Sequence, residues 1–417
     1  MIPIAEAEKI IDREVSPLKP ETVGIENAVG RVLAETIRAD MDLPPFDRSQ
    51  MDGFAVRAAD TKHPPSHLRI IGESVAGTGF DRKMKPGEAV RIMTGARVPE
   101  GADGVQKVEL TKENYGFVEI LETVRHLQNI NQRASEIKKG ARVFGKGETV
   151  SEQMIAALAA FGCADVKVFQ KPQVSIISTG SEIVPIAETP SRDQIRNSNS
   201  VMLKALAEGA GAAAGILPQV HDDFETLKNH IAAAVGLIAE VPISKFRINK
   251  GEGQAPKSKI LIVTGGVSVG DYDFTKPVLR ELGAEIFFEK VSLKPGKPTV
   301  FARLNDSFVF GLPGNPVSVA VTFYLFVRRA VRQMQGAKNI ELKRGHAVCA
   351  EPIKGAKERD SVLPVSLSTD KKGRLTIETL RFSGSSNFIA FARADALVLV
   401  PKNSSLEKSD VAEIFFL

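Results

Sequence analysis

The stretch from Ile260 to Asn315 leaves few architectures open. It begins Ile260-Leu-Ile-Val-Thr-Gly-Gly-Val-Ser-Val-Gly-Asp-Tyr-Asp273, an apolar run that breaks into glycines and then into carboxylates. Such a run reads as a buried strand emptying into a polar loop. Two glycine-proline loops follow, Ser292-Leu-Lys-Pro-Gly-Lys-Pro298 and Phe310-Gly-Leu-Pro-Gly-Asn-Pro316, each after an apolar run. Loops that leave neighbouring strands of a parallel sheet gather at one edge, where open α/β folds bind their ligands.

The residue types in these loops suit an anion. Asn315 before Pro316 is a helix start, with asparagine as N-cap and proline at the first helical position ahead of Val317 to Met334. The free amides at that helix start favour an anion, which makes Pro313, Gly314 and Asn315 candidate substrate-binding residues. Gly265 and Gly266 let backbone N–H groups approach oxygens closely, Lys294 and Lys297 supply positive charge, and Asp273 can hold a hard cation. Together this is the chemistry of phosphate plus Mg²⁺. Any one of these loops, taken alone, reads more readily as a plain turn, and it is the three in one short span that favour a site.

A chain of 417 residues suits about three domains at ~150 residues each. Hydrophobic residues make up 43% and charged residues 25%, and no apolar run approaches the ~18 residues of a membrane span. The amphipathic start, without a cleavable signal, points to the cytoplasm. Cys163 and Cys349 are far apart, so neither a disulfide framework nor a zinc cluster is indicated. A net charge of +5 favours anionic ligands. It is spread too evenly for nucleic acid, and three tyrosines without tryptophan offer little base-stacking surface.

Along the chain, Ile4, Ala7, Ile10, Ile11 and Val15 mark an amphipathic first helix. A segment from Asn27 to Ile37 leads into a loop, Leu43 to Val56, dense in proline, aspartate and arginine. Short strands between glycine turns then predict a small, mostly β domain: Ile70-Ile71, Ala89 to Met93, Gly104 to Leu110 and Phe117 to Leu121. A helix from Glu152 to Phe161 and a strand from Ala164 to Phe169 precede a boundary at Lys171-Pro172. Alternation then begins, with Val174 to Glu182 as strand, Val201 to Glu208 as helix, Gly215 to Asp223 as strand and Phe224 to Ala239 as helix. It predicts a parallel sheet with right-handed crossovers. Asp222 and Asp223, paired at a helix start, read more readily as capping and dipole partners than as ligands. Val241 to Lys259 looks like a surface insertion. Strands at Ala347-Val348, Val362 to Leu367, Leu375 to Leu380, Ala396 to Val400 and Ala412 to Phe416 predict a C-terminal barrel.

Over essentially its full length the chain resembles the molybdopterin molybdotransferase family, the MoeA proteins and the E domain of gephyrin. The resemblance rests on Pro45-Phe-Asp-Arg-Ser-Gln-Met-Asp-Gly-Phe-Ala55, Met93-Thr-Gly95, Pro99-Glu-Gly-Ala-Asp103, Ser178-Thr-Gly-Ser-Glu182 and Asn197-Ser-Asn199. It rests equally on Gly265 to Gly270 with Asp273, Lys294-Pro-Gly-Lys297 and Gly311-Leu-Pro-Gly-Asn-Pro316. It implies a multidomain α/β plus β protein: an elongated linker and dimerisation domain over 1–43 and 140–170, and an inserted mostly-β domain over 44–139. A doubly wound α/β molybdopterin-binding domain would span 171–338, and a small β-barrel 339–417.

The implied activity is insertion of molybdate into adenylylated molybdopterin with Mg²⁺-dependent release of AMP. Adenylylation of molybdopterin and a non-enzymatic scaffold are the alternatives. By the resemblance, Glu182 and Asp273 would hold Mg²⁺ with Asp222 nearby, and Lys294 and Lys297 would hold molybdate. Ser268 with the Gly265 and Gly266 amides would cradle phosphate. Asp52, Thr94 and Glu136 would complete the site from the second subunit of a homodimer. Implied partners are the molybdopterin adenylyltransferase and apo-molybdoenzymes. The chain departs from the family pattern at Ala134-Ser135-Glu136, where Gly-Glu-Asp is usual, at Gln106-Lys107 in a normally apolar run, and at Pro364, where many relatives carry arginine.

Overall fold

The computed structural model describes residues 1–221, 223–238, 258–266, 273–380 and 387–417. Asp222, Ser268, most of the Val241 to Lys259 insertion and the second half of the Gly265 to Gly270 motif therefore lie outside the described residues. The chain divides into two compact units, one of residues 1–34, 147–151 and 165–417, the other of 35–146 and 152–164.

In the larger unit, Ile260–Thr264 is buried at every position. Its side chains alternate between two cores: Ile260 and Ile262 enter one, Leu261 and Val263 the other. A strand covered on both faces needs continuous apolar sequence, and each fully buried aliphatic side chain contributes about 1.5–3 kcal/mol. The first face is covered by Ser198–Gly209, through Leu203 and Ala207, by the helical stretch from Pro316 to Met334, and by the N-terminal helix Ile4–Glu14, through Ala7 and Ile11. The second is covered by Phe224–Ala234, through Leu227 and Ile231, and by Thr275–Glu281, through Val278 and Leu279. This is the doubly wound arrangement.

The sheet runs Ala213–Ile216, Gln173–Ser178, Ile260–Thr264, Ser307–Leu312, Val300–Leu304, Glu285–Phe288. The first four strands are parallel, while Val300–Leu304 is antiparallel to both neighbours. The sheet is thus mixed, not purely parallel. Because two reversals restore direction, Glu285–Phe288 again runs with the first four. The exits after Ser178, Thr264, Phe288 and Leu312 consequently share one edge, as the loop pattern predicts.

Several elements differ from the sequence reading. The helix beginning at Phe224 ends at Ala234, and the strand before it is Ala213–Ile216, with only a bridge from Val220 to Thr179 beyond. Pro316 to Met334 is not a uniform α-helix, since Phe323–Val327 forms a π turn between Pro316–Thr322 and Arg328–Met334. Pro316 does occupy the first turn, and Asn315 holds the N-cap position without a side-chain capping bond. Pro20–Gly24, unmarked by any alternation, pairs antiparallel with Asp165–Phe169.

At the C-terminus, Asp360–Thr369, Leu375–Thr379, Arg344–Cys349, Val411–Phe416 and Ala396–Val400 pair in that order, and the last pairs back to the first. This closed five-stranded barrel leaves no edge among its own strands. Its interior holds Cys349, Val365, Ile377, Val398 and Ile414. Cys349 is thus a buried small hydrophobe, whereas Cys163 in the other unit is only half buried.

The smaller unit contains a six-stranded sheet in the order Gly104–Lys107, Gly53–Val56, Glu88–Ile92, Ser66–Ser74, Phe117–Ile120, Thr111–Asn114. The strand expected to reach Leu110 stops at Lys107 and turns into a 3-10 helix, Val108–Leu110. Gln106 is fully buried there, its Nε2 donating to Glu122 O at 3.1 Å. Beside the sheet, the connector bridges Leu43 through Ile137, and Ala134 N donates to Pro44 O at 3.0 Å.

Ala134 sits at φ 60°. That region costs an L residue roughly 1–2 kcal/mol, and glycine returns roughly 0.5–1 of this through the unfolded chain. Ala134→Gly is therefore expected to raise unfolding free energy by about 0.5–1 kcal/mol in equilibrium urea titration; a loss of stability would contradict the conformational argument.

Candidate functional site

The shared edge of the α/β sheet opens into a cleft of about 1750 Å³. Gly265, Gly266, Glu182, Asp273, Lys294, Lys297, Pro313, Gly314 and Asn315 all line it. Residues drawn from four separate parts of the larger unit thus meet in one place.

Side chains behind the edge hold its loops in register. Thr264 Oγ1 donates to Pro313 O at 3.1 Å, and Asn199 Nδ2 donates to Gly314 O at 2.7 Å. Asn197 Oδ1 accepts from Ser200 N at 3.1 Å and from Ser178 Oγ at 3.2 Å, so it caps the helix Ser198–Gly209 while binding the neighbouring strand end. Ser178 Oγ also hydrogen-bonds Ser200 Oγ. The Asn197-Ser-Asn199 motif therefore joins three loops, a role its sequence pattern did not disclose.

Gly265, at φ 93°, could carry no side chain: a Cβ would lie 2.4 Å from Thr179 O and 2.7 Å from Thr179 Oγ1. The two Thr-Gly strand ends are pressed together, with Gly265 N donating to Leu312 O at 3.2 Å, so that the next residue, Gly266, sits at the cleft. Thr179 Oγ1 and Asn199 Oδ1, both on the cleft wall, are buried without a hydrogen-bond partner among the described residues. Buried polar atoms of this kind are rare and call for a ligand or water.

The electrostatics favour an anion. Arg196, Lys294, Lys297, Lys354 and Arg359 line the cleft against Glu182 and Asp273. Among the described residues none of these five cations forms an ion pair, although Arg196 Nε donates to Glu188 O at 3.0 Å and Arg359 Nη1 to Leu293 O at 3.3 Å. Lys354, Arg359, Leu363 and Phe388 come from the barrel and its flanking helix, and sequence reading did not single them out for the site. Pro364 is buried in the barrel strand and does not line the cleft, while its neighbour Leu363 does.

Asp52, Thr94 and Glu136 belong to the smaller unit. There Asp52 Oδ1 accepts from Thr94 N at 2.6 Å and Thr94 Oγ1 at 2.8 Å. Arg48 Nη2 donates to Glu136 Oε1 at 3.1 Å, and Arg133 ties Asp47 and Asp42 together. Asp52 and Thr94 are thus directly joined, and the connector carboxylate is held by an arginine of the Pro45 to Ala55 loop.

The Asp52 carboxyl is held below the usual aspartate range, first by the Thr94 backbone N–H and then by the hydroxyl. Because the folded-state value is depressed, this clasp stabilises fully above the ordinary pKa of about 3.9 and is lost as pH falls through the lower value. Thr94→Val keeps the backbone donor and removes the hydroxyl. It should move the Asp52 titration, followed by carboxyl NMR, part of the way back up; an unmoved titration would exclude the hydroxyl as a contributor.

Comparison with known proteins bears on the whole chain. Residues 2–162 match the family model "MoeA N-terminal region (domain I and II)", residues 248–333 "Probable molybdopterin binding domain", and residues 346–417 "MoeA C-terminal region (domain IV)". A molybdopterin molybdenumtransferase of Staphylococcus aureus is 34% identical over 97% of this chain and 92% of its own length. One from Staphylococcus epidermidis is 32% identical over 96% and 91%. Among solved structures, the molybdopterin biosynthesis moeA protein of Pyrococcus horikoshii OT3 is similar with a TM-score of 0.83, 28% identity and full coverage of both chains.

Proposed function

This chain belongs to the MoeA family, and we propose from that premise that it acts as a molybdopterin molybdenumtransferase, inserting molybdate into adenylylated molybdopterin with release of AMP. The observation that carries the reading is the meeting of glycine-rich loops, cations without an ion pair among the described residues, and two carboxylates at one sheet edge. Such a cleft accepts a phosphoanhydride and an oxyanion together.

Lys294 and Lys297 bind the molybdate dianion, which is substrate. The amide of Gly266, with the Thr179 hydroxyl, takes phosphate oxygens, the Gly265 N–H donating instead to Leu312 O at 3.2 Å, and the loop Pro313-Gly314-Asn315 closes the far side. Water attacks the adenylyl phosphorus in line, and the phosphoanhydride bond breaks with the molybdopterin phosphate as leaving group. AMP departs carrying the new oxygen, and molybdate gives up one oxygen as water as the two dithiol sulfurs bind the metal. The residues hold both reactants in that line while neighbouring cations offset their charge.

Glu182 and Asp273 fit Mg²⁺, which takes one or two carboxylates and completes its shell with phosphate and water oxygens. Bound there, the ion would neutralise charge on the phosphate oxygens. Asp222 is assigned beside them and Ser268 to the phosphate cradle. Asp273→Asn should cut AMP release by on the order of 100-fold or more while leaving folding and assembly unchanged by circular dichroism and size exclusion. Full AMP release by that variant would remove Asp273 from the reaction.

Asp52, Thr94 and Glu136 are assigned to the same chemistry, supplied by a second copy of the chain in a homodimer. The Asp52 and Thr94 clasp supports this, because an ionised carboxylate with fixed geometry is ready for use at neutral pH. Mixing inactive Asp52→Ala and Asp273→Asn chains should then restore about a quarter of wild-type sites, since one site of each mixed dimer is intact. No recovery in assays of AMP release after subunit exchange would overturn the shared site.

A further inference from the structure

The lysine loop of the cleft is held from outside the α/β sheet. Leu293–Lys294 pairs in parallel with the barrel strand Asp360–Thr369, Leu293 opposite Asp360 and Lys294 opposite Ser361. Asp360 N donates to Ser292 O at 3.2 Å, and Arg359 Nη1 donates to Leu293 O at 3.3 Å. On the other side Ser292 N donates to Ile2 O at 2.7 Å and Ile2 N to Lys290 O at 3.0 Å. Gly296, at φ 120°, presses so closely on Thr322 that a Cβ would lie 2.6 Å from Thr322 Cγ2.

Both lysine side chains lack an ion pair among the described residues. A charge without a protein partner is placed by its backbone alone, so whatever fixes residues 291–297 fixes the charge. Among the described residues Arg359 is the one side chain that both lines the cleft and donates to the backbone next to Lys294.

We propose that Arg359 is a positioning residue for the oxyanion end of the cleft, hanging the Leu293 carbonyl, and with it Lys294 and Lys297, from the barrel. The proposal rests on the assignment of those lysines to molybdate. It gives the barrel a task in the reaction without requiring any barrel side chain to touch the reacting atoms. A guanidinium bound to a carbonyl is a charge-assisted hydrogen bond, stronger than a neutral one and directional.

The test uses the full-length chain and two readouts, steady-state AMP release against molybdate concentration and hydrogen exchange of amides in 291–299. Arg359→Ala should raise the KM for molybdate on the order of tenfold, the loss of one such bond, with kcat changed far less. It should also lower protection of the Val291, Leu293 and Thr299 amides, which donate within the loop. Arg359→Lys, which keeps a donor, should recover part of both.

Wild-type protection in Arg359→Ala overturns the proposal, including the case in which KM rises because the guanidinium binds the anion directly. Lost protection with an unchanged KM also overturns it, provided that Lys294→Ala raises KM. If Lys294→Ala leaves KM unchanged too, the oxyanion assignment is what fails. Should Arg359→Ala not fold, Arg359→Lys decides: partly lost protection with a smaller rise in KM upholds the proposal, and wild-type values for both overturn it.

Discussion

Hydrogen bonds between side chains behind the sheet edge and the carbonyls of the loops in front of it hold the site together. Thr264 reaches Pro313 O, Asn199 reaches Gly314 O, and Asn197 joins Ser178 to Ser200. Each is short-range and modest, about 1 kcal/mol net, but leaving one partner buried and unbonded costs about 1–3 kcal/mol. Loops rich in glycine have no steric preference strong enough to define one conformation. The latch supplies what the glycines lack, and Asn199 contributes to it through its amide nitrogen, which leaves its Oδ1 on the cleft wall.

The charges in the cleft are arranged differently from those elsewhere in the chain. Arg329, for example, forms a two-pronged pair with Asp12 at 2.6 and 2.7 Å and so fastens the N-terminal helix to the helix Arg328–Met334. Lys294, Lys297 and Lys354 have no such carboxylate among the described residues. Gathering unpaired cations disfavours folding slightly through mutual repulsion and favours whatever anion enters. Two carboxylates among them are consistent with a cation that arrives with phosphate, because Mg²⁺ shares its coordination between protein and substrate oxygens.

Much of this was legible in the order of residues, and the reasons are physical. Ile260–Thr264 could be read as a doubly covered strand because five successive buried positions demand five apolar or small side chains. Gly265, after Thr264, is glycine because a Cβ there would lie 2.4 Å from Thr179 O. One on Gly314, after Leu312, would meet only Gly265 Cα at 3.9 Å among the described residues and is not excluded by crowding. The barrel was legible as alternating runs. The π turn at Phe323–Val327 was not, since its side chains are as apolar as those of any buried helix and only backbone hydrogen bonding distinguishes it. The strand Pro20–Gly24 lacked alternation because none of its positions is fully buried, so neither face demands apolar side chains, and its partner lies far along the chain.

Local pattern by itself determined which segments are strands or helices, that glycine-rich loops follow the strands, and which residues carry the charge for phosphate chemistry. Tertiary structure alone decided that Val300–Leu304 runs against its neighbours, that Leu293–Lys294 joins the barrel sheet, and that Lys354, Arg359 and Phe388 face the same cleft as Glu182. The difference follows from range. Burial periodicity and steric exclusion act between residues a few positions apart, so they leave a mark in composition. Strand pairing and the meeting of distant side chains act through space between backbones whose hydrogen-bonding groups are the same at every residue, and so leave almost none.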